Sequence, residues 1–373
     1  MNATRVALVQ IGIGVVGGEV VEQVLANRDR WRQSLGLDVR VAAVSGRDGA
    51  LAEEPGAPLP DDLLRTAVSA RRGGQGLREA AGGRALIPTE EAVVRLGNDG
   101  LAVVLDAAAG DETATTLARA LGSGAGVVLS NKAPLALPLA NPIAADLWAE
   151  SRPGGHLRYE ATCGAGLPVI STLRTLLDTG DRVIEIQGAL SGTLGAIFSM
   201  LADGQSFSAA VREAKARGYT EPDPRDDLSG LDVARKALIL ARTMGRRVDL
   251  SDIAVESLVP EHLAGVSIDQ FLDRVGDADA AFAERAAAAQ TAGRTLKYVA
   301  TVPADGPIAV GVRDVPTSGV LGALQGPENI VSFRTERYDA YPLTVAGPGA
   351  GAAVTAAGML GDALALAGML ARR

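Results

Sequence analysis

Short apolar runs alternate with helix-like segments along the first 130 residues. Residues 5–11 are apolar and partly β-branched, which predicts a buried parallel strand, and the next residues, to about 31, show helical spacing. The other elements predicted are strands at 38–45, 101–106 and 126–130, and helices near 60–70 and at 112–122. Residues 48–86 otherwise predict a loose Gly-rich loop. The alternation of strands and helices predicts a parallel sheet covered on both faces.

The pattern changes after about residue 150. Helical spacing is found at 168–178, 193–202, 206–217 and 229–244, and strands that look antiparallel are found at 182–190, 296–303, 307–314 and 329–336. We therefore predict an α/β Rossmann-type nucleotide-binding domain with an inserted α+β catalytic and dimerisation domain. The first would cover 1–165 and be completed by a C-terminal helix at 350–373, and the second would cover 166–349.

The bulk composition narrows the class of protein. The chain has 373 residues and a formal net charge of −8, without a basic run, which argues against a nucleic-acid partner and favours a small-molecule partner. One cysteine and two histidines exclude an intrachain disulfide and a multi-cysteine zinc site, and make a His-based triad improbable. We also expect that every apolar segment is interrupted before about 18 residues, so that none spans a membrane. These features predict a cytoplasmic enzyme.

A glycine-rich loop follows the first predicted strand. Its residues are Gly12, Ile13, Gly14, Val15, Val16 and Gly17, a GxGxxG sequence between a strand and a helix. The first glycine permits a tight turn, the second a close approach to a pyrophosphate, and the third close packing of helix on strand. The loop predicts a dinucleotide site; a plain Gly-rich turn is the alternative.

The end of the second strand bears on which dinucleotide binds. A carboxylate there would hold a ribose 2′-hydroxyl, whereas a nearby arginine can accommodate a 2′-phosphate. The strand ends Val44-Ser45-Gly46-Arg47, which favours NADP and leaves NAD open, since Arg47 could equally be a solvated loop residue. Ser130 and Lys132 follow a later strand, where ligands gather in open α/β sheets, although a lysine in that position can simply be exposed.

Residues 218–240 concentrate acidic side chains around one lysine. Pro222 and Pro224 predict an extended approach to a helix that Ser229 would cap. Within that helix Asp232 and Lys236 lie four residues apart, on one face. Clustered carboxylates could bind an ammonium group beside a proton-transfer lysine, but an ordinary surface ion pair has the same spacing. A neighbouring carboxylate also raises the pKa of a lysine, so a lysine base would need burial or a nearby positive charge to oppose that shift.

This segment closely resembles the signature of the homoserine dehydrogenase family. The matching runs are 218–224, 227–230 and 232–236. Further segments resemble the family in the same order, so that the resemblance covers nearly the whole chain. They are the loop at 12–17 and the segments 130–134, 159–170, 188–199 and 347–364.

The resemblance implies reversible NAD(P)-dependent oxidation of L-homoserine to L-aspartate 4-semialdehyde, in threonine, methionine and isoleucine biosynthesis. Lys236 would take the hydroxyl proton, with Asp232 orienting it. Glu221, facing the ammonium group, and Asp227 would contact substrate. The remaining implied substrate contacts are Gly192, Thr193 and Lys132. The implied cofactor-binding positions, besides the glycine loop and Arg47, are Ala108, Ser130, Lys132 and Gly351.

The resemblance also implies a monovalent cation, usually sodium. Its ligands would be Glu160 and the backbone carbonyls of Cys163, Ala165 and Leu167, an oxygen set that suits a hard ion. Cys163 stands where the family often has Val, a change that a carbonyl ligand tolerates. Ala107 to Ala109 stand where relatives often carry Thr or Ser, which leaves mainly backbone contacts to the cofactor there.

The resemblance finally bears on assembly and regulation. It implies a homodimer or a homotetramer. We expect no fused aspartate kinase and no C-terminal ACT domain, and hence no feedback inhibition by threonine. Two alternatives stay open: a related dehydrogenase acting on another small amino acid or aldehyde, and a non-catalytic dinucleotide-binding protein.

Overall fold

The computed structural model describes residues 3–53, 57–96 and 101–372. The chain divides into two compact units. Unit 1 comprises Met1–Gly166 and Gly351–Arg373, and unit 2 comprises Leu167–Ala350.

Unit 1 is built on a six-stranded sheet in the order β3-β2-β1-β4-β5-β6. Its strands are β1 (Thr4–Ile11), β2 (Leu37–Gly46), β3 (Gly49–Ala52), β4 (Leu101–Asp106), β5 (Gly126–Leu129) and β6 (Leu157–Arg158). The helices between them are α1 (Val15–Leu35), α2 (Asp61–Arg72), α3 (Leu77–Ala80), α4 (Thr89–Leu96), α5 (Ala114–Gly122) and α6 (Pro142–Ala149). The predicted α/β class is confirmed, and each strand predicted here is present.

One strand of this sheet departs from the parallel arrangement. Strands β1, β2, β4, β5 and β6 pair in parallel, whereas β3 runs antiparallel to β2. Gly46 pairs with Gly49, so that Arg47 and Asp48 form the two-residue turn of a hairpin. The Gly-rich segment that predicted only a loop therefore contributes an edge strand, and two short helices, α3 and α4, were not predicted either.

Unit 2 has a second sheet, in the order β12-β11-β7-β9-β10-β8. Its strands are β7 (Val183–Ala189), β8 (Ile253–Val255), β9 (Arg294–Pro303), β10 (Ile308–Pro316), β11 (Glu328–Thr335) and β12 (Leu343–Pro348). Its helices are α7 (Val169–Asp178), α8 (Gly192–Ala202), α9 (Phe207–Ala216), α10 (Pro224–Leu228), α11 (Leu231–Thr243), α12 (Ile268–Arg274) and α13 (Asp279–Thr291). The predicted antiparallel pairing is confirmed for β7, β9, β10 and β11, while β8 pairs with β10 in parallel.

Ser229 is not, as predicted, the N-cap residue of the helix carrying Lys236, although its hydroxyl accepts the Leu231 N–H of that helix at 3.3 Å. Pro224 starts the short helix α10, which Asp223 caps by accepting a hydrogen bond from the Arg225 N–H. Ser229 ends α10, and Gly230, with φ of +74°, starts α11. A Cβ at Gly230 would lie 1.9 Å from the Tyr298 hydroxyl, so close packing as well as the left-handed backbone requires glycine there.

The chain returns to unit 1 with α14 (Ala352–Leu370), which packs against α1, β4 and β5. Its buried face includes Met359, Leu360 and Leu366, which belong to the core of unit 1. By length and composition alone, α14 is apolar enough to cross a membrane. The expectation that no segment is apolar enough to span a membrane was therefore wrong for this helix, because three glycines and Asp362 interrupt it without lowering its hydropathy enough.

Candidate active site

Three loops of unit 1 meet at the carboxyl edge of its parallel strands. The Gly12 N–H donates to the Ser45 carbonyl at the end of β2, and the Ala107 N–H donates to the Ile11 carbonyl at the end of β1. The Ser130 N–H donates to the Asp106 carbonyl at the end of β4. The loops after β1, β4 and β5 are thus held side by side where the strand order reverses, which is the usual ligand position in open α/β sheets.

The first loop shows the tight turn and the close helix packing that the sequence predicts, and the approach of a pyrophosphate at Gly14 stays a prediction. Gly12 has φ of +76°, and a Cβ there would lie 2.8 Å from the Ala108 nitrogen. A Cβ on Gly17 would lie 1.8 Å from the Gly12 oxygen, whereas a Cβ on Gly14 would meet nothing within 4 Å. Gly14 starts α1 without a side-chain cap, so an open backbone surface adjoins the helix N-terminus. This arrangement fits the pyrophosphate of a dinucleotide.

Gln10 supports this turn, and sequence reasoning missed it. Its side chain is buried in β1 and its amide nitrogen donates to the carbonyls of Ile11 and Gly12 at 2.9 and 3.1 Å. The same nitrogen would lie 2.8 Å from a Cβ on Gly17. The signal was a lone amide within an otherwise apolar strand, because a buried amide needs hydrogen-bond partners.

Asp106 holds the loops after β4 and β5. Its carboxylate is fully buried and accepts hydrogen bonds from the Ala108 N–H at 2.9 Å, the Thr113 hydroxyl at 2.7 Å and the Asn131 amide at 3.1 Å. Burial raises the pKa of Asp106 above its ordinary value, although the three hydrogen bonds oppose that shift. The carboxylate therefore positions Ala108 and the segment that carries Lys132, a role that sequence reasoning did not assign.

The other predicted residues of unit 1 differ in burial and in their position in the fold. Lys132 is half-buried and lies two residues before a short 3-10 helix, and Ala108 is half-buried after β4. Arg47 is exposed at the tip of the β2–β3 hairpin. Gly351, with φ of +122°, starts α14. The structure therefore brings Ala108 beside the glycine loop, while Arg47 lies at the edge of the sheet.

The predicted cation ligands belong to one continuous segment. Glu160 is buried, and its N–H donates to Asp362 of α14 at 2.8 Å. Gly164 and Ala165 both have positive φ, and Ala165 is the only non-glycine residue with positive φ in the described part of the chain. The Leu167 carbonyl accepts a hydrogen bond from the Val169 N–H at 2.8 Å. Among the described residues, no three or more His, Cys, Asp or Glu side chains cluster as the ligands of a metal ion would.

A hydrogen-bond network in unit 2 joins three of the predicted substrate residues. The hydroxyl of Thr193, in the first turn of α8, lies 2.5 Å from the Tyr219 carbonyl and 2.9 Å from an Asp227 carboxylate oxygen, and its one proton is shared between these two acceptors. The second Asp227 oxygen accepts the Glu221 N–H at 2.8 Å. Asp227 therefore fixes the segment that presents the exposed Glu221 side chain beside the start of α8.

Lys236 lies next to this network. Its side chain is buried, 8% exposed, and Nζ is 2.8 Å from an Asp232 carboxylate oxygen and 2.6 Å from the Leu190 carbonyl, to which it donates. Leu190 lies two residues before Gly192, so α11 and the start of α8 meet at this ammonium group. The alternative of an ordinary exposed ion pair does not fit, because the lysine is buried.

The pKa of Asp227 depends on its burial and on the charged groups near it. Burial raises the pKa of Asp227, and the negative charges of Asp232 and Asp226 act in the same direction, whereas the hydrogen bonds from Glu221 and Thr193 oppose them. A cluster rich in carboxylates can bind an ammonium group, and the adjacent lysine can exchange a proton.

The fold and these residues define the class as a two-unit protein whose first unit has a dinucleotide-binding fold. One family model, described as the NAD binding domain of homoserine dehydrogenase, matches residues 12–146, and a second, described as homoserine dehydrogenase, matches residues 168–364. The chain belongs to the homoserine dehydrogenase family.

Individual relatives agree with this assignment. The chain is 34% identical to the homoserine dehydrogenase of Schizosaccharomyces pombe, over 97% of this chain and 95% of that protein. It is 37% identical to the bifunctional aspartokinase/homoserine dehydrogenase 2 of Arabidopsis thaliana, over 99% of this chain and 39% of that protein. The chain thus spans about two fifths of the length of the first curated relatives it matches.

A solved structure described as a hyperthermophilic archaeal homoserine dehydrogenase in complex with NADPH has the same fold. It superposes with a TM-score of 0.71 at 22% identity, over 97% of this chain and 96% of that chain.

The substitution Gly17→Ala tests the packing of the glycine loop. Because the added Cβ would collide with the rigid Gly12 backbone, we expect a loss of about 1–3 kcal/mol of unfolding free energy and a loss of NADPH binding. Urea denaturation and NADPH fluorescence would measure the two effects.

The matched variant is Gly14→Ala, whose Cβ occupies open space. We expect its stability to stay within about 1 kcal/mol of the wild type, while NADPH affinity falls because the methyl group blocks the approach to the backbone. Unchanged NADPH affinity in this variant would contradict the assignment of this loop.

Proposed function

We propose that the chain catalyses the reversible, NAD(P)-dependent oxidation of L-homoserine to L-aspartate 4-semialdehyde. The observation that carries this proposal is the position of Lys236, buried against Asp232 and the Leu190 carbonyl beside the Thr193–Asp227 network. The family assignment supports the same reaction. Within an organism, this reaction would serve threonine, methionine and isoleucine biosynthesis, and we propose a cytoplasmic location.

In this proposal the residues of unit 2 bind the substrate and move its proton. The Glu221 carboxylate pairs with the ammonium group, and Asp227 holds the Glu221 backbone in place. Gly192 and Thr193 contact the substrate at the start of α8, whose N-terminal N–H groups attract a carboxylate. Lys236 accepts the hydroxyl proton as a neutral amine, and Asp232 and the Leu190 carbonyl hold the ammonium group that results.

The residues of unit 1 bind the dinucleotide. The open backbone at Gly14 and the N-terminus of α1 suit the pyrophosphate, and the loops carrying Ala108, Ser130 and Lys132 line the same edge of the sheet. A bound nicotinamide dinucleotide supplies the acceptor for the hydride that leaves the substrate carbon. Lys132 is proposed to contact both substrate and cofactor.

The substitution Lys236→Met tests the proton-transfer role. We expect kcat for homoserine oxidation to fall by about 10²- to 10⁴-fold, because the remaining side chain cannot accept a proton. Absorbance at 340 nm measures turnover, and circular dichroism reports folding.

The control is Arg247→Met, which removes one positive charge from an exposed position of unit 2. It should leave kcat unchanged. A folded wild-type protein that binds NADPH without oxidising homoserine would sink the proposed reaction, and an active Lys236→Met variant would remove Lys236 from it.

We propose NADP rather than NAD as the preferred cofactor. Arg47 is exposed at the hairpin tip that follows β2, where no carboxylate ends the strand to bind a ribose hydroxyl. Asp48 accepts a hydrogen bond from the Arg78 N–H, so its carboxylate is engaged with the start of α3. The NADPH named for the archaeal relative is consistent with this choice.

The substitution Arg47→Ala tests this preference. We expect KM for NADP to rise roughly tenfold, because one charge-assisted hydrogen bond to the 2′-phosphate is lost, and KM for NAD to stay unchanged. An equal rise in KM for NADP and for NAD would contradict the role given to Arg47.

We propose that a monovalent cation, sodium, binds the oxygen atoms of Glu160 and the carbonyls of Cys163, Ala165 and Leu167. The left-handed backbone at Gly164 and Ala165 and the burial of Glu160 support this set. We expect thermal unfolding to shift upward in sodium chloride relative to choline chloride for the wild type but not for Glu160→Gln. Equal unfolding temperatures of the wild type in the two salts would contradict a sodium site.

We also propose that the chain forms a homodimer or a homotetramer through unit 2. The edge strand β12 pairs only with β11 in the described part of the chain, and it is half-buried to exposed along its length. An unpaired edge strand is a natural position for association. Sedimentation velocity would show a monomer if this proposal is wrong.

A further inference from the structure

Unit 2 contains a second buried lysine that the proposed reaction does not use. Lys297, on β9, is 3% exposed, and its Nζ donates to the Leu324 carbonyl at 2.5 Å. Within the described part of the chain, this ammonium group makes no other hydrogen bond. An ammonium group has three donors, so the partners within the fold leave most of its hydrogen-bonding capacity unused.

This arrangement is energetically unusual. A buried charge is costly unless a countercharge and hydrogen bonds compensate it. Burial accordingly lowers the pKa of Lys297, and the negative charge of Asp203 only partly opposes that shift. By contrast, Lys236 has a carboxylate oxygen at 2.8 Å. Among the described residues, Lys297 thus lacks the close anionic partner that Lys236 has.

A cavity of about 370 Å³ adjoins Lys297. Its charged lining residues are Lys297, Arg217 and Asp203, two basic groups and one acidic group, and Gln325 and Thr295 add further polar groups. The volume lies within the range of small-molecule sites. Arg217 is already paired with Glu213, so within the described lining the basic group without a close carboxylate is Lys297, and its ammonium group favours an anion.

The walls of the cavity also belong to the substrate region of unit 2. Ser199 of α8 lines it and accepts a hydrogen bond from the Gly326 N–H at 2.9 Å. Tyr219 lines it as well, and its carbonyl accepts the hydrogen bond from Thr193. The cavity therefore lies behind α8, whose first turn carries Gly192 and Thr193.

We propose that this cavity, the Lys297 pocket, is a second ligand site, and that it binds a small organic carboxylate on the Lys297 ammonium group. Binding there restrains α8 and the Tyr219 carbonyl, and so changes the affinity for substrate at Thr193. This coupling rests on the proposed function, whereas the site itself does not.

The test follows the Lys297 amine directly. The chain has four lysines, so [13Cε]lysine labelling gives four signals in the NMR spectrum. The signal that disappears in the Lys297→Met variant is that of Lys297. Titration with sodium acetate or sodium succinate, against sodium chloride at equal ionic strength, should shift the Lys297 signal in a saturable manner. Bound carboxylate should also raise the apparent pKa of Lys297, because the anion favours the charged form.

Matched variants separate specific binding from general salt effects. Acetate and succinate should raise the unfolding temperature of the wild type and of Arg247→Met, but roughly tenfold more carboxylate should be needed in Lys297→Met, which loses a charge-assisted hydrogen bond. Circular dichroism would confirm that the variants fold.

Two results would overturn the site. One is that acetate and succinate shift the Lys297 signal no more than chloride does. The other is a signal that changes with protein concentration and not with carboxylate, which would assign the partner of the ammonium group to a second copy of the chain. If the signal shifts but carboxylate leaves KM for homoserine unchanged, the coupling to substrate is refuted.

Discussion

The buried ammonium group of Lys236 is the constraint on which the organisation of unit 2 depends. A buried lysine needs both a countercharge and a fixed acceptor, and Asp232 and the Leu190 carbonyl supply them at 2.8 and 2.6 Å. Because Leu190 precedes α8 and Asp232 belongs to α11, satisfying this one group brings the start of each helix to the same point. Gly230 permits the sharp turn into α11, and Asp227 ties Thr193 to the Glu221 segment. Asp232 therefore supplies the countercharge of the lysine, while Asp227 is held by its own hydrogen bonds with Thr193 and the Glu221 N–H.

Unit 1 depends on a different kind of constraint, which is steric. The distance of 1.8 Å between a Cβ on Gly17 and the Gly12 oxygen shows that α1 and the turn after β1 are packed backbone to backbone. Gln10 and Asp106 then hold the neighbouring loops from below with buried polar groups. Rigid support of this kind leaves the open backbone at Gly14 as the surface where a pyrophosphate can approach without a change in the fold.

Sequence patterns predicted those parts in which local chemistry and tertiary packing agree. The main strands were predictable because a buried strand requires a run of apolar residues. The GxGxxG loop was predictable because its backbone angles and close packing require glycine. The β2–β3 hairpin was missed because four small residues, Gly49–Ala52, carry little strand propensity and form a strand only by pairing with β2. Ser229 was assigned as the N-cap of α11 because serine is a good cap residue, but serine also suits the end of a helix such as α10. The helix α11 begins at position 230 because only glycine fits beside Tyr298 there, and the sequence does not show that contact. The role of Asp106 depended on tertiary contacts that no local pattern shows, whereas a lone amide in the apolar strand β1 was an available signal for Gln10.

The two buried lysines of unit 2 show why burial alone does not define a catalytic residue. Lys236 and Lys297 are similarly buried, yet only Lys236 has a carboxylate within hydrogen-bond distance among the described residues. A lysine whose charge is balanced inside the fold can exchange a proton without losing its position. A lysine balanced only by a carbonyl either stays neutral or recruits an anion from outside, and the cavity beside Lys297 gives such an anion room. The difference in partners, more than the difference in exposure, therefore separates a proton-transfer group from a ligand-binding group in this fold.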